Sequence, residues 1–194
     1  MKTPLINIIH ETKDYVVIDK PSGYLVHRSK IAPDSKGVVD FLRDQLGCDV
    51  SPAHRLDRQT SGVMIFSKNT ATGRILGDCF LNNKVTKGYI ALVRGVFPDS
   101  VKVERPLKSD KGVLQDSLTN FELKEQFEYC ALVSAFPSTG RRHQIRRHLG
   151  GLSHQILGDT THGKGRLNAL YREKYGLNRM FLHASILKID HPLF

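Results

Sequence analysis

The sequence has few cysteines, no long apolar run and no low-complexity segment, and each absence narrows what the chain can be. Its three cysteines, Cys48, Cys79 and Cys130, lie far apart and are odd in number, which excludes a zinc-finger pattern and a disulfide framework. No apolar run approaches the roughly 20 residues needed to cross a membrane, and the N-terminal residues lack the apolar core of a signal peptide. We therefore expect reduced core cysteines and a cytoplasmic chain that does not associate with membranes.

Positive charge is concentrated in one part of the chain. The 194 residues carry a net charge of +10. Residues 139–188 contain ten Lys and Arg but two Asp and Glu, whereas the rest of the chain is nearly balanced. Such clustering is typical of proteins that bind polyanions, although a solvated basic surface has the same composition. The pattern indicates phosphate as a partner without distinguishing DNA, RNA and membrane.

The hydrophobic pattern predicts an α/β or α+β fold on a largely antiparallel sheet. No repeat or Pro/Ser-rich linker interrupts the chain, so we expect residues 1–194 to form a single domain. Helices are predicted over residues 38–46 and 70–81, the first of them capped by Ser35 and ended by Gly47. Residues 141–149 are predicted to form a short helix or a loop followed by a helix. Strands are predicted over residues 6–10, 15–19, 62–67, 85–96, 117–126, 129–136 and 181–189.

A polar, charged segment precedes one of the predicted strands. Residues 54–62 read HRLDRQTSG, and Asp57 in this segment has Arg55 and Arg58 as close neighbours. An ionised carboxylate in a pocket can act as a nucleophile, a base or a metal ligand. The alternative is a turn aspartate, with Thr60 and Ser61 capping the loop. Residue types alone do not decide between these interpretations.

A second segment is strongly basic. Residues 139–148 read TGRRHQIRRH, and in a helix Arg142 and Arg146 share one face while His143 and Arg147 share the next. Like charges at this spacing repel each other, so the arginines are better explained by contacts with phosphates or a buried carboxylate. The nearby histidines resemble metal ligands, but the surrounding positive charge opposes a bound cation, and we expect no metal site. These histidines are His143, His148, His154 and His162.

Taken together, five ordered motifs resemble the RluA family of pseudouridine synthases over almost the whole chain. The segment 54–62 is similar to the family signature HRLDxxTSG, and residues 139–146 are similar to TGRxHQIR. The remaining motifs are KPSG at 20–23 followed by Val26-His27, KGYIALVRG at 87–95, and LGD at 157–159 followed by LHA at 182–184. The resemblance implies the pseudouridine synthase fold, which narrows the fold class to α+β with helices flanking the sheet. It also implies isomerisation of uridine in RNA without any cofactor.

The resemblance is nearest to members that modify uridine 65 of tRNA and that lack an N-terminal S4-like RNA-binding domain. Modification of ribosomal RNA is the first alternative. A non-catalytic RNA-binding protein on the same scaffold and a metal-dependent phosphodiesterase that uses Asp57 are two others. Family chains continue past an HPxTGE motif, whereas this sequence ends at His191-Pro192-Leu193-Phe194, so the resemblance leads us to expect a truncated C-terminus. We also expect a monomer.

The resemblance also assigns roles to individual residues. Asp57 would be the catalytic carboxylate, Arg146 would pair with it and orient it, and Tyr89 would stack on the target uracil. Because a duplex hides the sugar of the target nucleotide, the base must leave the stack, and Arg55 would enter the space that it leaves. Leu182 would form a pocket wall. The phosphate contacts are expected from Arg58, Arg141, Arg142, Arg147 and Lys164.

Overall fold

The computed structural model describes residues 5–28 and 36–194, and the chain divides into two compact units. The first unit is formed by Met1–Val85 and Leu187–Phe194, and the second by Thr86–Ile186. Paired strands in each unit are antiparallel where their register is defined, and helices accompany them, which confirms the α+β prediction. The prediction of a single domain stays a prediction.

The first unit contains a sheet of short antiparallel strands and two helices. In the order β1–β2–β4 each strand pairs with the next, and β3 pairs with β4. Tyr15 lies opposite Ser67 and Lys20 opposite Gly62, so the end of β2 adjoins the start of β4. This register places the KPSG motif beside the HRLDRQTSG motif. The elements are β1 (Asn7–Glu11), β2 (Tyr15–Lys20), α1 (Val38–Leu46), β3 (Ser51–Pro52), β4 (Ser61–Ser67) and α2 (Thr70–Leu81).

The two helices of the first unit have the bounds that the sequence predicts, because clear signals mark their ends. Gly47 ends α1 in the left-handed conformation, with φ of 65°. The side chain of Asn69 caps α2 by accepting a hydrogen bond from the Thr72 N–H. The N-cap of α1 is Gly37, whose N–H donates to Asp40 Oδ2 over 2.8 Å. The predicted cap, Ser35, lies outside the described residues.

The second unit contains longer strands and two further helices. Its strands pair in the order β11–β5–β10–β9–β6, with β7 and β8 forming a separate hairpin. Strand β11 begins in the second unit and ends in the first. The elements are β5 (Val85–Arg94), β6 (Ser100–Glu104), β7 (Leu107–Lys108), β8 (Leu114–Gln115), β9 (Leu118–Gln126), β10 (Cys130–Pro137), α3 (Gln144–Gly151), α4 (Gly165–Tyr175) and β11 (Leu182–Ile189).

Several sequence-based expectations need correction. Helix α4 was not predicted, because only Asn168 and Tyr171 are buried along it and no apolar stripe marks its inner face. The short strands β6, β7 and β8 were also missed. Cys48 is exposed, so the prediction of a core residue holds only for Cys79 and Cys130, and all three thiols are free. Among the helices of the described residues, none is long and apolar enough to span a membrane.

Candidate active site

The HRLDRQTSG segment, residues 54–62, forms a loop in the first unit, which we call the carboxylate loop. It runs from the end of β3 into the start of β4, and Asp57 is half-buried within it. The Thr60 N–H donates to the Asp57 carbonyl over 3.1 Å, which closes a tight turn directly after the aspartate. Leu56 is 6% exposed and anchors the loop, whereas its neighbour Arg55 is exposed. The loop therefore holds Asp57 between a buried anchor and a fixed turn.

The KPSG motif, residues 20–23, forms hydrogen bonds with the backbone of the two residues that follow Asp57. Ser22 Oγ donates to the Gln59 carbonyl over 2.6 Å, and the Gly23 N–H donates to the Arg58 carbonyl over 2.8 Å. Arg58 Nε returns a hydrogen bond to the Gly23 carbonyl over 2.8 Å. The two motifs are thus joined by hydrogen bonds in both directions. Arg58, predicted only as an RNA contact, also maintains the shape of the loop.

Lys20 is the charged residue most deeply buried beside the carboxylate loop. It follows Val16 and Ile18 on the inward face of β2 and is 0% exposed. Its Nζ donates to the carbonyls of Pro21, Tyr24 and Arg58 over 2.9, 2.9 and 3.3 Å. Burial lowers the pKa of Lys20 to about 8, although the charges of Asp57 and Asp19 act to raise it. The sequence analysis identified Lys20 only as part of a motif. The signal for its burial was its position on the same strand face as Val16 and Ile18.

In the second unit, Gln144 organises the turn that precedes α3. Its Oε1 accepts hydrogen bonds from Thr139 Oγ1 over 2.6 Å and from the Arg141 N–H over 3.0 Å. Its Nε2 donates to the Leu118 carbonyl and to Thr119 Oγ1, each over 2.9 Å. The buried amide thereby fixes the TGRRHQ segment against β9. Helix α3 begins at Gln144, so residues 141–149 form a loop followed by a helix, and Arg142 lies outside the helix that contains Arg146.

Arg146 forms a buried ion pair with Asp159. Its Nε lies 2.8 Å from Oδ2 and its Nη2 lies 2.9 Å from Oδ1, and the side chains are 5% and 1% exposed. Asp159 Oδ1 also accepts from the N–H groups of Thr161 and His162, each over 2.9 Å. Burial acts to raise the pKa of Asp159, but these hydrogen bonds and the Arg146 charge hold it below its usual value. Sequence reasoning missed this partner, although LGD was among the motifs; the pairing of Arg146 with Asp57 stays a prediction.

Three of the predicted phosphate contacts form a hydrogen bond or an ion pair within the second unit. Arg141 Nε donates to the Asp116 carbonyl over 2.9 Å, and Arg147 Nη1 donates to the Lys108 carbonyl over 2.9 Å. Arg142 is exposed and pairs with Asp110. Lys164 is exposed immediately before α4. Their predicted contacts with phosphate stay predictions.

Tyr89 packs against the apolar core of the second unit, to which Leu182 belongs. Tyr89 lies on β5 opposite Ala135 of β10 and is half-buried. It packs against a cluster that contains Leu182, 3% exposed, and Ile145, 6% exposed. The aromatic ring therefore stands at the margin of an apolar core.

The four histidines do not converge on one point. His143 Nδ1 lies 2.9 Å from His162 Nε2. His148 is fully buried among hydroxyl groups, and burial lowers its pKa. His154 Nδ1 lies 2.9 Å from the Arg94 carbonyl, and its ring packs edge-on against Phe97. The described residues contain no cluster of three or more His, Cys, Asp or Glu side chains suited to a metal ion.

Comparisons with known proteins agree with this arrangement. A family model for RNA pseudouridylate synthases matches residues 14–150. The tRNA pseudouridine synthase C of Vibrio cholerae is 35% identical over 97% of this chain and 86% of its own length. That of Haemophilus ducreyi is 36% identical over 96% and 86%. The solved structure of human RNA pseudouridylate synthase domain containing 1 superimposes with a TM-score of 0.82 and 25% identity, covering 100% of this chain and 82% of that one.

The fold, the ordered motifs and these similarities lead to one assignment. The family model covers both the carboxylate loop and nearly all of α3. The relatives extend the match beyond α4 into the last strand, at a level of identity that shows common descent. The chain belongs to the RluA family of RNA pseudouridylate synthases.

Proposed function

We propose that this protein isomerises a uridine of tRNA, uridine 65, to pseudouridine, with Asp57 as the catalytic carboxylate. One observation carries the substrate: relatives named tRNA pseudouridine synthase C are 35–36% identical over 96–97% of the chain. The specific uridine rests on the motif resemblance. The same proposal includes a monomer that acts in the cytoplasm. The free thiols of Cys79 and Cys130 support the reducing compartment.

The reaction requires little beyond positioning and proton transfer. The bond between N1 of uracil and C1′ of ribose breaks, the base rotates, and a bond between C5 and C1′ forms. C5 then loses its proton to solvent and N1 gains one, so product and substrate have the same composition. These steps need acid–base and electrostatic assistance from side chains, and the equation contains no oxidant, reductant or second substrate.

Asp57 is the carboxylate to which this chemistry is assigned. Its oxygen either attacks C1′ or removes the sugar proton whose loss forms a glycal, and both routes need a fixed carboxylate beside the ribose. The turn at Thr60 and the hydrogen bonds from the KPSG motif support this assignment, because they immobilise the backbone around Asp57. Arg146 acts as its positioning residue.

The remaining residues bind and expose the nucleotide. Tyr89 stacks on the uracil and takes part in proton transfer, with Leu182 as a wall of the pocket. Arg55, exposed on the carboxylate loop, enters the stack from which the base has left. The backbone phosphates are contacted by Arg58, Arg141, Arg142, Arg147 and Lys164, each exposed or half-buried.

The decisive test replaces Asp57 with asparagine. Asp57→Asn keeps the side chain's shape and removes its charge, so tritium release from tRNA labelled at C5 should become undetectable and should not return with magnesium or zinc. Binding of tRNA should survive, since the basic surface is intact. Asp78→Asn, an exposed aspartate of α2, is the matched control and should retain full activity.

Each outcome separates two interpretations. Normal tritium release from Asp57→Asn would refute the assigned mechanism. A wild-type protein that binds tRNA but releases no tritium would indicate a binding protein. Tritium release from ribosomal RNA alone would show that ribosomal RNA, and not tRNA, is the substrate. Mapping pseudouridine in tRNA from cells that lack the gene identifies the modified position.

A further inference from the structure

A cavity of about 480 Å³ opens in the second unit between the β7–β8 hairpin and α3. Its walls carry the cations Arg105, Lys108 and Arg147, together with His162. Apolar surface comes from Leu107 of β7 and Leu114 of β8, among others. Of these cations, only Arg147 lies in the basic segment 139–148, and none lies in the five family motifs. The cavity is thus a basic recess formed largely by residues that the family signatures do not contain.

Arg105 is held rigidly at the edge of this recess. Its Nη2 donates to the Arg147 carbonyl of α3 over 3.1 Å. The guanidinium lies directly on Gly151, where an added Cβ would stand 2.0 Å from Nη2. Its backbone carbonyl accepts from Ser117 Oγ over 2.6 Å. The guanidinium is therefore positioned before any ligand arrives.

Arg147 is fixed in a complementary way. Its Nη1 donates to the Lys108 carbonyl of β7 over 2.9 Å, while its own carbonyl accepts from Arg105, which lies just before β7. Within the described part of the chain, neither guanidinium forms an ion pair with a carboxylate. The hairpin's Asp110 is paired instead with Arg142. Carbonyl oxygens orient the two cations but do not neutralise them.

Two oriented, unneutralised guanidinium groups fit an anion with several oxygen atoms. Each donates one hydrogen bond inside the protein and keeps its other N–H groups for a ligand. The volume exceeds what a phosphate alone fills, and the leucines offer apolar surface for an adjoining ribose. Preorganisation of this kind lowers the entropy that binding costs.

We propose that this recess binds one phosphodiester of the RNA backbone, with Arg105 and Lys108 as binding residues alongside Arg147. The inference rests on the proposed function, because RNA supplies the phosphodiester. It adds a contact at the β7–β8 hairpin, which none of the motifs includes. Free phosphate or a mononucleotide has the same chemistry, and the experiment separates these sources.

The test compares Arg105→Gln with Arg172→Gln, which removes an exposed arginine of α4 away from the recess. In filter binding to tRNA, Arg105→Gln should weaken affinity about tenfold, the scale of one charged hydrogen bond. It should also flatten the slope of log K against log [salt] by about one unit. Arg172→Gln should change neither quantity. Lys108→Gln, at an exposed position with no side-chain role in folding, is the second variant and should give a smaller loss in the same direction.

Phosphate ethylation of the tRNA locates the contact. One ethylated phosphate should block binding to the wild-type protein and should cease to matter in Arg105→Gln, while interference at other phosphates persists. Unchanged affinity in both Arg105→Gln and Lys108→Gln overturns the inference, as does binding of inorganic phosphate or a mononucleotide at the recess without any effect on RNA. Tritium release by the wild-type protein, measured in parallel, shows that such a failure does not extend to the proposed function.

Discussion

At the scale of single residues, the site depends on charged groups that are buried and hydrogen-bonded. Lys20 and Arg146 are among the least exposed side chains in the chain, and each is surrounded by hydrogen-bond acceptors. Leaving such groups unpaired in the interior is costly, so the acceptors are as important as the cations. Both lie in motifs shared with the family, and their burial explains why those positions require particular residues.

Because of Lys20, the free energy of unfolding should depend on pH in the alkaline range. Its pKa is about 8 in the folded protein, against an ordinary value of 10.5, so the unfolded chain binds more protons between these values. The free energy of unfolding should therefore rise with pH across that window, by about 3 kcal/mol from this group. Denaturant unfolding of the wild type and of Lys20→Met, measured from pH 7.5 to pH 10.5, isolates the effect as a difference. Parallel pH profiles would contradict it.

Two substitutions of Tyr89 should distinguish a role in stacking from a role in proton transfer. Tyr89→Phe keeps the ring and should keep affinity for tRNA within about tenfold, roughly 1.4 kcal/mol. Loss of the hydroxyl should lower turnover by about 10²–10⁴-fold, the range of an acid–base group. Tyr89→Leu should damage binding as well, because stacking contributes about 1–3 kcal/mol. Full activity in Tyr89→Leu would leave the residue a purely structural role at the margin of the core.

At the scale of elements, the ion pair of Arg146 and Asp159 fastens α3 to the segment that follows it. Gly158 precedes the aspartate with φ of 79°, and a Cβ there would lie 2.1 Å from the Arg179 carbonyl. Glycine is required at this position for both reasons. The LGD motif thus joins a close-packed turn that requires glycine to the acceptor of a buried arginine.

Asp159→Asn tests this connection. The amide keeps the shape but removes the buried carboxylate charge that both Arg146 hydrogen bonds reach, so the free energy of unfolding should fall by about 3–5 kcal/mol. Asp116→Asn, at an exposed aspartate before β9, should lie within about 0.5 kcal/mol of the wild type. Thermal and denaturant unfolding measure both variants. Equal stability of the two would show that the pair is not structural.

Elements with sharp end signals were predictable, and elements shaped by tertiary contacts were not. The bounds of α1 and α2 follow from Gly47 and Asn69, which act through local backbone geometry. The start of α3 depends instead on the side chain of Gln144, which reaches β9 from a distant part of the chain. Helix α4 buries too little to leave a periodic pattern.

The candidate site divides in the same way. Its residue types and their order along the chain were readable as motifs, and Asp57 was found through them. The partners of these residues could not be predicted, because they are distant in the sequence and only folding brings them together. Examples are the ion pair of Arg146 with Asp159 and the hydrogen bond from Lys20 to the Arg58 carbonyl. The recess beside Arg105 was invisible for the same reason.

At the scale of the whole molecule, the net charge of +10 should govern association with RNA. Replacing Arg141, Arg142 and Arg147 together with alanine should weaken binding to all RNAs similarly. It should also flatten the slope of log K against log [salt] by up to about one unit for each phosphate that is no longer bound. Arg74→Ala, on the exposed face of α2, is the control. An unchanged slope in the triple variant would place the RNA-binding surface elsewhere.

The first unit consists of two stretches of chain, and this has a consequence for synthesis on the ribosome. Residues 187–194 are made only after the whole second unit, yet they complete the first: the Asp190 N–H donates to the Lys84 carbonyl over 2.9 Å, and Phe194 packs on Tyr15 with ring centroids 5.1 Å apart. The unit that carries Asp57 therefore reaches its final contacts last, although it begins to emerge first. Throughout translation of the arginine-rich segment, residues 139–148, the nascent first unit therefore lacks these two contacts.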